Sequence, residues 1–412
     1  MTSGPLVRAG TGFATLRGML DIEFAKRAAE AAIDDASAAL RELSLDIHSH
    51  PELNFEEEHA HEVLTRFLEQ AGFEVERSAY ELPTAFRATF GSGSPALAVF
   101  CEYDALPGIG HACGHNLIAA SGVAVGLGLK AALGPGNGAV LVFGSPAEEG
   151  GGGKILMIER GALNDVDAAM MLHPSPVDGA WPNMIAIEML KVEYFGRNAH
   201  AAAFPWEGVN ALDALVLAYS SISAMRQQMR PTDRVHGVIT SGGVKPNIIP
   251  DYAAAEYYVR SSTASELAEL HAKVAGCFEG AATATGCRLE LTSLGRPYRE
   301  VVTNDVIAEA YCENMGRFEV RLPGRGQQGG AIGGASTDMG DVSQVVPSIH
   351  PVFGIPTDAA NHTPGFTAAA ATPEAHARMI RAAKALACTA IDLYAKPELL
   401  ASAKREFAAP ER

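Results

Sequence analysis

Cysteine is scarce and irregularly placed in this chain, with six residues in 412. That excludes a dense disulfide framework and fits reduced thiols in a cytoplasmic protein. Basic charge is also short. Lysine and arginine total 32 against 48 aspartates and glutamates, a formal net charge of -16. Nucleic acid and an anionic membrane both need a basic face, so neither is expected as a partner. No apolar run approaches the ~20 residues of a membrane span. The run 117–133 is broken by glycines and carries Lys130, so it reads as a buried helix. Residues Met1 to Gly10 lack a basic segment followed by an apolar one, and no secretory leader is read there. The apolar residues, 48% of the chain, permit a full core. The length suits one large domain or two medium ones.

Residues 1–20 show little periodicity and read as a loose arm. From Asp21 to about His50 apolar residues recur at helical spacing, which predicts one long amphipathic helix stopped by Pro51. Phe55 to Ala71 predicts a second, with Gly72 as its stop. Residues 74–80, 86–90 and 96–100 read as short strands, 117–133 as a helix, and 139–143 and 168–172 as buried strands. Strands alternating with helices imply a mostly parallel sheet. The pattern then changes. Residues 184–195 and 252–261 alternate like longer, half-buried strands. With strands at 235–241 and 288–293 and helices at 210–229 and 265–285, they predict a small antiparallel α+β insert. The α/β pattern resumes after Tyr298. The expected organisation is a discontinuous catalytic domain, 1–184 and 298–412, with a lid at 185–297.

Chemistry concentrates where apolar runs end. The strand at 96–100 leads into Glu102 and Asp104, a Gly/Pro turn, then Cys113-Gly114-His115 at the start of the next helix. The strand at 139–143 leads into Glu148-Glu149, and that at 168–172 into His173; His362 follows a later apolar run. Open α/β sheets place ligand sites at such strand ends. Thiolate, imidazole and carboxylate together suit zinc, manganese or cobalt rather than calcium. Adjacent glutamates at a strand end point different ways, so one can ligate a metal while the other faces its water. Spacing does not decide which.

In order along the chain stand Glu-Tyr-Asp-Ala-Leu-Pro, His-Ala-Cys-Gly-His-Asn, Pro-Ala-Glu-Glu, Gly-Arg-Asn-Ala-His-Ala-Ala, Asn-Ile-Ile-Pro-Asp and Asn-His-Thr-Pro-Gly-Phe. This series resembles the co-catalytic metallopeptidases related to aminoacylase and carboxypeptidase G. Within them it resembles the amidohydrolase branch of hippurate, indoleacetyl-amino-acid and aminobenzoyl-glutamate hydrolases and related cytosolic dipeptidases. The likeness runs from His48 to His362. It implies a zinc-exopeptidase-like α/β domain with a ferredoxin-like lid that pairs two copies into a homodimer. It implies one or two divalent ions, zinc or manganese with cobalt as a third choice, held by Cys113, His115, Glu149, His173 and His362. The thiolate is able to bridge two ions. It makes Glu148 the general base, Asp104 a carboxylate behind the ligands, and His200 the oxyanion stabiliser, often reaching into the partner's site. Asn247 and Arg260 are matched to carboxylate-holding positions, and His350 to the specificity pocket. Asn116, where most of the branch has Asp, and the loop Ser336 to Asp341 resemble the dipeptidase and aminobenzoyl-glutamate subgroup.

The expected reaction is hydrolysis of a small N-acyl or N-aroyl amino acid, or a dipeptide with a free carboxylate. Two rivals stand beside it at this stage. The same site can serve a deaminase or amidine hydrolase acting on a non-peptide C–N bond, or a non-catalytic binding protein. The intact ligand set and Glu148 argue against the last.

Overall fold

A computed structural model describes residues 21–134, 136–327 and 334–409. The expected arm at 1–20 and most of the expected loop at 324–334 lie outside the described residues. The chain opens with α1 (Ile22–Asp35), α2 (Ser37–Ser49) and α3 (Glu58–Gln70). The single helix expected over 21–50 is therefore two, parted at Ala36. Asp34, Asp35 and Ser37 surround the break, residue types of weak helix preference. The helix expected from Phe55 starts at Glu58, because both oxygens of Glu52 accept the N–H groups of His59 and Ala60 at 2.7 and 3.0 Å.

The strands β1 (Glu74–Arg77), β2 (Phe86–Ser92), β3 (Ala96–Glu102), β4 (Gly138–Ser145) and β5 (Ala168–Met170), with the later β11 (Ser348–Ile349), form one sheet in the order β1-β2-β4-β3-β5-β11. It is mostly parallel, as expected, with an antiparallel edge. β4, β3, β5 and β11 run parallel, whereas β1–β2 and β2–β4 are antiparallel. Residues 93–95 alone join β2 to β3, too few for a helical crossover, so the two run in opposite directions with β4 between them.

Every residue of β3 and β4 is buried, which is why both read as unbroken apolar runs. α4 (His115–Ala132) packs behind them, with α1 and α2 and the C-terminal α11 (Pro373–Ala395) around it. Gly114 enters α4 at φ +80, and a Cβ there would meet Pro174 Cγ at 2.5 Å. Only glycine fits this position. Among the described residues no helix is long and apolar enough to cross a membrane.

A short helix α5 (Gly153–Glu159) and strand β6 (His173–Ser175) precede the second unit. This comprises β7 (Ala186–Phe195), α6 (Ala211–Met225), β8 (Arg234–Ser241), β9 (Tyr252–Ser261), α7 (Ala264–Thr285) and β10 (Arg288–Ser293). Its sheet is wholly antiparallel in the order β10-β7-β9-β8, the ferredoxin-like β-α-β-β-α-β arrangement. Leu190, Val192, Tyr194, Tyr257, Leu215 and Phe278 share a core between one face of this sheet and its two helices. On the other face Ile187 and Met189 pack with Tyr298, Ile155 and Tyr258. α8 (Asp305–Gly316), α9 (Met339–Ser343), β12 (Val352–Gly354), α10 (Pro364–Ala370) and α12 (Pro397–Phe407) complete the described chain.

Candidate metal centre and cavity

The parallel register sets the site. Glu102 at the end of β3 lies opposite Ser145 at the end of β4, and Val99 opposite Met170 of β5. The segments leaving these strands therefore emerge at one edge, with β4 and β5 on opposite sides of β3. This is the switch point where a crevice opens in an α/β sheet. Glu148 and Glu149 follow β4, His173 follows β5 and His350 follows β11. Cys113 and His115 stand at the start of α4, and His362 precedes α10. Two of the approaches hold unusual backbone, with Ala147 at φ +57 and His362 at φ +64. Non-glycine residues rarely adopt this region, and such positions concentrate at functional sites.

Three triads of donor atoms result, one of them Glu102, His115 and Glu148. Cys113, His115 and His173 offer atoms that all lie within 4.8 Å of one another, and so do Cys113, Glu149 and His362. Cys113 belongs to both of the latter. Its Sγ lies 3.4 Å from His173 Nε2, and His362 Nε2 lies 3.4 Å from Glu149 Oε1. The imidazoles are oriented from behind. His115 Nδ1 faces the backbone oxygen of Asp104 at 2.8 Å and its Oδ1 at 3.1 Å. His173 Nδ1 faces the Pro174 carbonyl at 2.7 Å. A proton on each Nδ1 leaves each Nε2 with its lone pair toward the shared hole, the arrangement of a metal ligand.

The hole is anionic and unsatisfied. His115 Nε2 is ringed by Glu102 Oε1 at 3.5 Å and by oxygens of Glu148 and Glu149, each at 3.8 Å. His115 Nε2, Glu149 Oε1 and Glu102 Oε1 are buried without a hydrogen-bond partner. Buried polar atoms are rarely left so, and a divalent cation satisfies all three chemically.

The electrostatics agree. Burial opposes ionisation of Cys113, but His173, His115 and His362 outweigh it and hold the thiol well below its usual value. Burial, then the Cys113 thiolate, pushes the Glu149 carboxyl up to about 7. Burial, then the charges of Glu102 and Glu149, raises Glu148 well above the ordinary carboxylate range.

The cavity above the hole measures about 750 Å³. Cys113, Glu148, Glu149, His173, His350, His362 and Arg260 line it, and Asp104 sits just behind. Arg260 donates to the Gly334 carbonyl at 3.0 Å and the Ser336 hydroxyl at 3.2 Å. His350 is fully buried beside His173 with both ring nitrogens unpartnered. Burial, then His173, pushes it down to about 3, so it is neutral.

His200 and Asn247 are not brought to this cavity. Their two loops meet instead, with Ala201 N–H donating to the Asn247 carbonyl at 3.1 Å. The physical reason is strand direction. The cavity lies at Met189 of β7 and Tyr258 of β9, whereas His200 and Asn247 follow the far ends of β7 and β8. Six extended residues from Met189 to Phe195 span about 20 Å.

Several contributors escaped the sequence reading. Lys154, fully buried, reaches Glu102 Oε2 at 2.5 Å and Asp338 Oδ1 at 2.7 Å. Tyr298 donates its hydroxyl to the Glu148 carbonyl at 2.7 Å. Glu57 accepts the Ala147 N–H at 2.8 Å. Arg234 and His236 also line the cavity. Lys154 in an otherwise apolar helix start was the one local signal; the others have none.

Residues 187–284 match the family model described as a peptidase dimerisation domain. The chain is 48% identical to the Xaa-Arg dipeptidase of Mus musculus over 94% of its length and 93% of that protein. It is 31% identical to one component of the p-aminobenzoyl-glutamate hydrolase of Escherichia coli over 91% and 94%. Among solved structures, an aminohydrolase of Staphylococcus aureus described as putative superposes with a TM-score of 0.72 at 21% identity, covering 89% of this chain and 99% of that one. A Bacillus subtilis protein described as a dinuclear metal-binding peptidase of the M20 family superposes at 0.65 with 22% identity, covering 87% and 99%.

Proposed function

Because this chain belongs to the M20 peptidase family and is a metal-dependent amide hydrolase, we propose that it cleaves dipeptides or N-acyl amino acids bearing a free carboxylate. Dipeptides ending in a basic residue are the first class to test, given its 48% identity to an Xaa-Arg dipeptidase. One observation carries the assignment of residues: two donor triads share Cys113 Sγ, with Glu148 beside them at the cavity floor.

Cys113, His115 and His173 would hold one ion, and Cys113, Glu149 and His362 the other, with zinc, manganese or cobalt suited to such donors. When bound, the ions would supply a water of lowered pKa and a Lewis acid for the scissile carbonyl. Glu148 then takes the water's proton and passes it to the departing amine, the work of a general base turned acid. Its backbone is held by Tyr298, and its raised proton affinity suits that exchange. Asp104 orients His115. His350, neutral and unpartnered, is free to hydrogen-bond the substrate. Arg260 holds the substrate carboxylate.

The second unit pairs two copies in this reading. β8 is an edge strand with Val238 and Ile239 exposed, and Val216 and Tyr219 of α6 are exposed as well. An open, apolar edge of this kind is a template for pairing. Pairing through it would let His200 and Asn247, remote from their own cavity, serve the partner's, with His200 donating to the oxyanion. The division into a catalytic unit, 1–184 with 298–412, and a lid, 185–297, follows. All six cysteines are free, and the thiolate role of Cys113 suits a reducing compartment, the cytoplasm.

The test is a screen of Xaa-Arg and Xaa-Lys dipeptides, aminobenzoyl-glutamate and hippurate against protein loaded with manganese, zinc or cobalt. Release of the free amino acid is the expected result. Ammonia from a non-peptide substrate, with none of these amides cleaved, overturns the proposal.

A further inference from the structure

The wall facing the metal centre is two rows of side chains across the second sheet. Ile187 of β7, Arg260 of β9 and Arg234 of β8 are cross-strand partners in one row; Met189, Tyr258 and His236 form the next. All six line the cavity. The wall is thus graded, apolar on β7, aromatic in the middle, and cationic on β8.

Among the described residues the two cations have no counterion. Arg234 donates to the carbonyls of Pro231 and Asp233 at 2.5 and 2.6 Å, and Arg260 to Gly334 and Ser336. Among the described residues neither guanidinium has a carboxylate within 4 Å, although acidic residues outnumber basic ones by 48 to 32. Asp233 is turned to the other face, where it accepts from the Arg230 N–H at 3.0 Å and Ser261 Oγ at 2.7 Å. Like charges directly opposite on a ladder are destabilising. Leaving them unpaired over a cavity makes sense when an anion arrives between them, and a planar guanidinium fork matches a carboxylate. His236 and Tyr258, with ring centroids 5.6 Å apart, and Arg260, 5.9 Å from the Tyr258 ring, close the group into one surface.

We propose that Arg234, supported by His236, is a specificity-determining residue that shares the substrate carboxylate with Arg260, so that the cavity selects free acids over amides. This rests on the reading above for the scissile half of the substrate. It adds a second guanidinium, on a different strand, to the one already assigned. The side chain next to that carboxylate then lies on Ile187, Met189 and Tyr258.

The experiment is calorimetric titration of metal-loaded, full-length Glu148→Gln protein with hippurate and with its uncharged amide, in the presence and absence of Arg234→Gln. With Arg234 intact, hippurate binds more tightly than the amide. Arg234→Gln weakens hippurate by about 10- to 100-fold, the usual effect of losing a charged hydrogen bond, and leaves the amide nearly unchanged. Arg234→Lys, which keeps the charge but not the fork, gives an intermediate loss, and thermal melting of each variant verifies that it is folded. Equal losses for acid and amide, no loss for either, or no hippurate binding with Arg234 intact overturns the proposal. An Arg234-dependent preference for the acid, in a protein that hydrolyses no dipeptide or N-acyl amino acid, keeps the carboxylate arm and rejects the hydrolase substrate class instead.

Discussion

Asp104 Oδ1 lies 3.1 Å from His115 Nδ1, while its other oxygen accepts the Glu149 N–H at 2.9 Å. One buried carboxylate therefore sets the ring of one candidate ligand and the backbone of another. Outer partners of this kind typically change metal affinity by about 10- to 100-fold when removed. Asp104→Ala is expected to weaken binding of the tighter ion by that amount, measured by competition with a chelating dye, with the fold retained by circular dichroism. Unchanged affinity would show that His115 and Glu149 are held by other means.

Cys113 is common to two of the donor triads, whereas His362 belongs to one. Cys113→Ala should therefore reduce loading at both positions, and His362→Ala at one. Elemental analysis of dialysed protein separates the two. Equal residual loading in the two variants contradicts a shared thiolate.

His200 and Glu148 should act in different halves of one site. Glu148→Gln is expected to retain metal and lose about 10²- to 10⁴-fold in turnover, the range for a general base. His200→Ala should also be nearly inactive. When the two inactive variants are unfolded, mixed and refolded, random pairing in a two-fold dimer gives roughly a quarter of wild-type activity. Half the dimers are mixed, and each of those has one competent site. No recovery, with dimers verified by sedimentation, places His200 in its own subunit's chemistry.

Glu57 adds a pH dependence. It is fully buried, and burial, then the charge of Asp104, raises its carboxyl from 4.5 to about 7. The folded chain therefore binds this proton more tightly than the unfolded chain. Its stabilising effect is complete below pH 4.5 and is lost as pH rises through 7. The full span is on the order of 3 kcal/mol. Glu57→Gln keeps an oxygen for the N–H groups of Phe55 and Ala147 and places an amide toward Thr84. Urea unfolding of the metal-free protein between pH 5 and 8 should show a flatter decline in the variant than in wild type. Parallel declines would mean that Glu57 is not the titrating group.

The strand-end motifs were legible because their logic is local. An apolar run long enough to be buried, followed at once by Cys, His or Glu, announces both the strand and what its end presents. The alternation in 184–195 and 252–261 likewise announced a half-buried sheet. Tertiary structure alone decided the rest. Lys154 meets Glu102 and Asp338 across 52 and 184 residues of sequence, and no short-range pattern encodes such a meeting. That β4 lies between β2 and β3, so that two strands joined by three residues are not neighbours, was decided by packing. The remoteness of His200 followed from the end of β7 at which its loop emerges. Arg234 and Arg260 became one surface only when antiparallel register set them opposite each other. Periodicity tells which face of an element is buried; packing tells which distant face it meets, and it is there that charges find, or fail to find, their partners.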